Sequence, residues 1–221
     1  MKKSILLILL VSVTSSLMGQ NALNTGAPGG MVEIRLLNGV QPREGASGSP
    51  YLETTFMPAI VDNFERQYMV RYNAEQGVME FKNENNVTLV LSNEEEHTIK
   101  FQDGSRRVYK TMDLRGERVL LRVSWSDEKG NSLFVKEGVR FYPSEVAQTS
   151  YDTDKPDRYE RQEDVFYFKN DSGLFIDLPQ KKKKLTQLFG AKGAKQFFKK
   201  QKVNLKSEEG ILKFVQGVLV S

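Results

Sequence analysis

The chain contains no cysteine and only one histidine, His97, among 221 residues. The first absence excludes disulfides, thiolate zinc and iron–sulfur sites, thiol nucleophiles and a lipid-modified N-terminal cysteine. The second excludes any site built from two imidazoles of one chain, including the H-E-x-x-H metallohydrolases. A P-loop and a dinucleotide fingerprint are also missing, because the glycines at 26–30 and 45–48 lack both the spacing and a following helix. No G-x-S-x-G elbow or Ser-x-x-Lys stands between a strand and a helix, so serine hydrolase chemistry has no support. No apolar run reaches the ~20 residues of a spanning helix. Carboxylate chemistry and binding without chemistry remain open.

What is present is the composition of an ordinary globular domain, with 39% hydrophobic and 27% charged residues. Lys2 and Lys3 precede the apolar run Ile5 to Val13, and small polar residues then lead to Gly19 and Gln20. This is the layout of a secretory signal over 1–19, and its apolar part is too short for an anchor. Export to the periplasm or beyond the cell is the expected localisation, with no transmembrane span after cleavage. About 200 remaining residues suffice to bury a core without a metal or disulfide staple.

Charge is divided along the chain. Residues 181–221 hold eleven lysines against Glu208 and Glu209, whereas residues 20–180 carry a net charge of −7. An acidic body with a basic end suits contact with an anionic surface, but the basic end lying on the body, or simply facing solvent, accounts for it more simply. Export disfavours nucleic acid as a partner. Lys181, Lys182, Lys183, Lys184, Lys195, Lys199 and Lys200 are the candidate contacts to an anionic envelope surface.

Apolar alternation predicts strands. Residues 20–50 read as a flexible segment with one strand at Val32–Leu37, and residues 51–180 as an antiparallel β-rich domain. Tyr68, Val70 and Tyr72 share one face, with Met69 and Arg71 opposite. Val119, Leu121, Val123 and Trp125 alternate with Leu120, Arg122 and Ser124. Leu133, Val135, Val139 and Phe141 continue on odd positions. Asp103-Gly104 marks a hairpin turn. The stretch 144–164 reads as a polar excursion. Its acids Asp152, Asp154 and Asp157 depart from an EF-hand loop at Pro156.

After Pro179 the period lengthens. Leu185, Leu188 and Phe189 share a helix face, and 195–202 reads as a second helix. Ser207 is the N-cap of a third, which carries Ile211, Leu212, Phe214, Val215 and Val218. The expected fold is mainly β or α+β: a meander sheet of about ten antiparallel strands, curved or half-barrel, followed by a Lys-rich helical segment over 181–221. His97 falls in phase with Ile99 and Phe101 and is expected at the edge of the core. No catalytic, metal-binding or cofactor-binding residue is assigned, and no cofactor is expected.

GSPYL at 48–52, RYNAEQGVMEF at 71–81 and KQKVNLKSEEGILKFV at 200–215 resemble an uncharacterised family of secreted Bacteroidota proteins. That resemblance covers most of the chain and implies membership rather than a mechanism. Three functions stay open. The first is an exported, non-catalytic envelope-associated binding or structural module. The second is a carrier of a lipid or other apolar ligand held between sheet and helices, and the third a carboxylate-dependent glycoside hydrolase.

Overall fold

The computed structural model describes residues 21–23, 34–38, 42–62, 66–83, 85–147 and 153–218. The signal expected at 1–19 lies outside them. The strands begin with β1 (Asn21–Leu23), β2 (Ile34–Asn38), β3 (Met57–Val61), β4 (Gln67–Asn73) and β5 (Val78–Lys82). Next come β6 (Thr88–Leu91), β7 (Thr98–Phe101), β8 (Val108–Leu114), β9 (Glu117–Ser126) and β10 (Ser132–Lys136). The last are β11 (Val139–Tyr142), β12 (Arg158–Arg161), β13 (Val165–Lys169) and β14 (Phe175–Leu178). Three helices end the described chain: α1 (Lys182–Leu188), α2 (Ala191–Lys200) and α3 (Glu208–Val218).

Twelve strands form one antiparallel sheet in the order β1-β2-β6-β5-β4-β3-β7-β8-β9-β10-β13-β14. From β6 to β14 it is the expected meander, and the remaining strands, β11 and β12, pair as a separate ribbon. The sheet is strongly curled. β5 and β9 stand five places apart in the order, about 24 Å in a flat sheet, yet their Cα atoms approach within 8 Å. Val70, Met79, Phe81, Ile99, Tyr109 and Leu120 fill the hollow between them. Alternation in β4 is as predicted, with Tyr68, Val70 and Tyr72 buried and Met69 45% exposed.

Where the strands depart from expectation, the cause is local. β3 is unforeseen because Pro58 argues against a central strand, and Pro58 occupies only its second position. Among the described residues of 20–50 there are two strands, β1 and β2, where the sequence predicts one. The odd-numbered stripe of β9 ends at Val123. A register shift sets Trp125 opposite Leu133 but Val123 opposite Phe134, so Trp125 turns to the face of Leu120. It packs with the helices, while Val119, Leu121 and Val123 form a cluster on the other face. The stripe expected from Leu133 to Phe141 is broken at Glu137-Gly138, and β11 leaves the main sheet. The polar excursion holds β12, whose Arg-Tyr-Glu-Arg sequence buries Tyr159 and pairs it with Phe141. Asp157 and Asp154 accept the backbone N–H groups of Ser144 and Ala147, at 2.6 and 2.7 Å. These two acids organise the loop, and Asp152 lies outside the described residues.

The helices cover β10, β13 and β14. Leu185, Phe197, Ile211, Phe214 and Val215 pack on Leu133, Val135, Phe166, Phe168 and Leu178. Ser207 caps α3, accepting the Gly210 N–H at 3.3 Å, and Glu208 and Glu209 occupy its first turn, where the helix dipole favours acids. Gly210 is required there, because a Cβ would stand 1.9 Å from the Asn204 carbonyl oxygen.

The β7–β8 turn carries a pH-dependent contribution. Asp103 accepts the Ser105 hydroxyl and N–H and the Arg107 guanidinium. These bonds, the Ser105 hydroxyl foremost, hold its carboxyl down at about 2. A folded pKa below the unfolded value stabilises above the unfolded value and loses that contribution as pH falls through the folded one. Asp103→Asn is therefore expected to lower Tm by a few degrees at pH 7. Thermal scans at pH 4, 3 and 2 should show the two proteins converging.

Candidate functional site

The lysine-bearing helices present the largest concentration of one charge. On α1, Leu185 is buried while Lys181, Lys182, Lys183 and Lys184 are exposed. On α2, Ala194 and Phe197 are buried while Lys195, Lys199 and Lys200 are exposed. Lys199 and Lys200 fall in its last turn, at the negative end of the dipole. The structure thus places all seven predicted residues on the solvent side of one helical layer. Within 181–221, Lys206 pairs with Glu163 at 2.5 Å and Lys213 with Glu209 at 2.7 Å. Among the described residues none of the seven is ion-paired, although the Lys182 ammonium stands 5.4 Å from the Phe198 ring. The helices therefore lie on the acidic body through their apolar sides, and those lysine charges stay uncompensated. Leu188, 48% exposed, sits at the end of α1 beside them.

Beneath this layer lies a charged cluster that the sequence did not disclose. Arg122 of β9 donates to both carboxylate oxygens of Glu208, at 3.1 and 2.7 Å, and pairs with Glu137 at 3.1 Å. The Tyr109 hydroxyl donates to the Glu137 carboxylate at 2.8 Å, and the Tyr72 hydroxyl donates to the Glu137 carbonyl at 3.1 Å. Arg161 reaches Glu137 at 3.8 Å and also pairs with Asp164. Burial, and then the Glu137 charge, push both tyrosine hydroxyls far above the phenol range, so they remain donors. Burial opposes the charge on Arg122, but Glu208 and Glu137 outweigh it and raise its pKa. The Arg122 hydrogen bond holds Glu208 below the carboxylate range, whereas burial raises Asp164. This cluster joins the curled sheet, the β10–β11 turn, β12 and the start of α3. Its acids and bases are committed to each other, so its chemistry is that of a strut. Arg122 lies opposite the apolar stripe of β9 and reads as a solvent residue, so only the fold reveals its partners.

His97 is 6% exposed, in phase with Ile99 and Phe101 as expected. Its Nδ1 lies 2.8 Å from the Asp62 carboxylate, whose other oxygen accepts the Thr98 N–H at 2.7 Å. An Asp–His pair can orient an imidazole for proton transfer, but a ring this deeply enclosed meets no substrate.

The segments 48–52 and 71–81 meet in space. Pro50 accepts the backbone N–H groups of Ala74 and Glu75, and Tyr51 bridges to Asn73. Glu80, 0% exposed, accepts bonds from Arg71 at 2.6 Å, Asn73 at 2.8 Å and the Tyr51 hydroxyl at 3.2 Å. The Arg71 guanidinium lies between the Tyr51 and Phe56 rings, 3.5 and 4.3 Å from their centroids. This clamp holds the 50–56 segment against β4 and β5.

No helix among the described residues is long and apolar enough to cross a membrane. No family model, curated protein or solved structure matches the chain.

Proposed function

We propose that the protein is an exported, non-catalytic binding module that docks on an anionic envelope surface through the lysines of α1 and α2. The supporting observation is the uncompensated charge of Lys181, Lys182, Lys183, Lys184, Lys195, Lys199 and Lys200 on one buried-side, charged-side helical layer. A layer packed firmly on the sheet holds these charges without further ordering, which lowers the entropic cost of docking. The carrier reading finds less support, because Phe166, Phe168, Phe197 and Phe214 fill the region between sheet and helices. The glycosidase reading needs an accessible pair of acids, and the carboxylates with shifted pKa in the buried cluster are paired with arginines.

Sedimentation with phosphatidylglycerol vesicles tests the reading. Each lysine beside an anionic leaflet contributes about 1 kcal/mol, so replacing Lys182, Lys183, Lys195 and Lys199 by Gln should weaken binding by about a hundredfold or more. Tm should fall by no more than a few degrees, since all four side chains are exposed and only the Lys199 charge at the end of α2 and the Lys182 contact with Phe198 are lost. High salt should release the wild type. Equal binding to phosphatidylcholine vesicles, or unchanged binding by the variant, would overturn the proposal.

A further inference from the structure

The alternation of β13 assigns its side chains to two different environments. Phe166 and Phe168 turn to the helices, while Tyr167 turns to the opposite face. There the β8–β9 hairpin tip, β13 and β14 enclose a groove of about 700 Å³. Its floor is aromatic: the Tyr167 and Phe175 rings are half-buried, with centroids 5.6 Å apart and planes inclined by 30°. Phe134 backs Phe175 at 5.7 Å, so the platform is fixed from below. Around the floor stand Asp113, Arg115, Glu117, Lys136 and Asp177, and Arg115 pairs with Asp177. The Tyr167 hydroxyl has no hydrogen-bond partner among the described residues, and Asp177, Arg115 and Glu117 line the same groove.

We infer that this groove binds a neutral oligosaccharide, stacked on Tyr167 and Phe175 and held at its hydroxyls by the charged rim. An aromatic ring presents a negative face and attracts the polarised C–H groups of a pyranose. The sugar's equatorial hydroxyls then point outward, where carboxylates accept from them and a guanidinium donates to them. The rim mixes two cations with three carboxylates, and Arg115 is paired with Asp177, so no concentrated charge of one sign is offered to a strongly charged ligand. A wholly apolar ligand would strip water from five charged groups without replacing it, which costs more than the floor returns. The groove is built for holding the sugar rather than cutting it. Asp113, Glu117 and Asp177 are all exposed and Asp177 is ion-paired, whereas a general acid requires a buried, raised carboxyl. Leu188, at the end of α1, also lines the groove, so the groove borders the lysine-bearing layer; the two proposals rest on different side chains, and neither depends on the other.

Titration of the isotope-labelled protein with cellohexaose, maltohexaose and chitohexaose, followed by amide chemical shifts, tests the inference. One hexasaccharide is expected to give saturable shifts at 113–119, 167 and 175–177. Phe175→Ala should weaken it by about tenfold or more. Arg115→Ala, at an 82% exposed side chain, should weaken it with Tm unchanged, which separates lost binding from lost folding. Absence of saturation at about 10 mM for all three sugars would overturn the inference. So would shifts at these residues produced instead by an extended peptide, or full binding by both variants.

Discussion

Removal of residues 181–221 is expected to leave a chain that does not fold cooperatively. The helices bury Leu133, Val135, Phe166, Phe168 and Leu178, each 4% exposed or less. Uncovering a large apolar side chain costs about 1.5–3 kcal/mol, so five amount to about 10 kcal/mol. A domain's whole stability is about 5–15 kcal/mol. The truncation also removes Glu208 and leaves Arg122 half-buried beside Glu137 alone. Far-ultraviolet circular dichroism, urea titration and binding of a hydrophobic dye to the truncated protein measure the outcome. A sharp urea transition close to that of the full chain would show that the helices are merely appended. It would also reopen the reading in which they leave the body to enter a lipid surface.

That dependence explains which parts of the architecture were legible in the sequence. Period-two patterns in β4 and β7 and the Ser207 cap of α3 are local signals, and the structure follows them. Phe197 and Phe214 read as apolar helix faces, and their T-shaped contact at 5.5 Å is one such face meeting another. The harder residues are those whose environment is made by distant chain. Arg122 reads as a solvent-facing position, but Glu208, 86 residues later, comes to meet it. β12 has one apolar residue in its four and becomes a strand because β11 supplies the pairing. The lysines were legible as a charge excess. Their freedom from the acidic body was not, since pairing depends on which face of each helix the core takes. The groove was least legible, because Tyr167 and Phe175 look like any core aromatics until the β8–β9 hairpin comes over them.

Glu80 is the sharpest case, and its replacement should be costly. By alternation it belongs to the solvent face of β5, between the core residues Met79 and Phe81. The 50–56 segment covers it, leaving a carboxylate with no water and three protein donors. Glu80→Ala would leave the Arg71 charge between two aromatic rings without its counter-ion and would orphan the Asn73 amide. Breaking one side of a buried pair costs about 3–5 kcal/mol. At about 2–4 °C per kcal/mol for a chain of this size, Tm should drop by roughly 10 °C. The physical argument makes a second, less intuitive demand. Much of the loss is the stranded guanidinium, so Arg71→Met combined with Glu80→Leu should be more stable than Glu80→Ala alone. Urea midpoints for the wild type, Arg71→Met, Glu80→Leu and the double variant close the cycle, with Glu80→Ala measured beside them. A Glu80→Ala loss under about 1 kcal/mol would mean that the segment over β5 admits water and that the clamp is a surface ion pair. If the double variant is the least stable of the four, the aromatic sandwich around Arg71, rather than the charge on Glu80, holds the 50–56 segment in place.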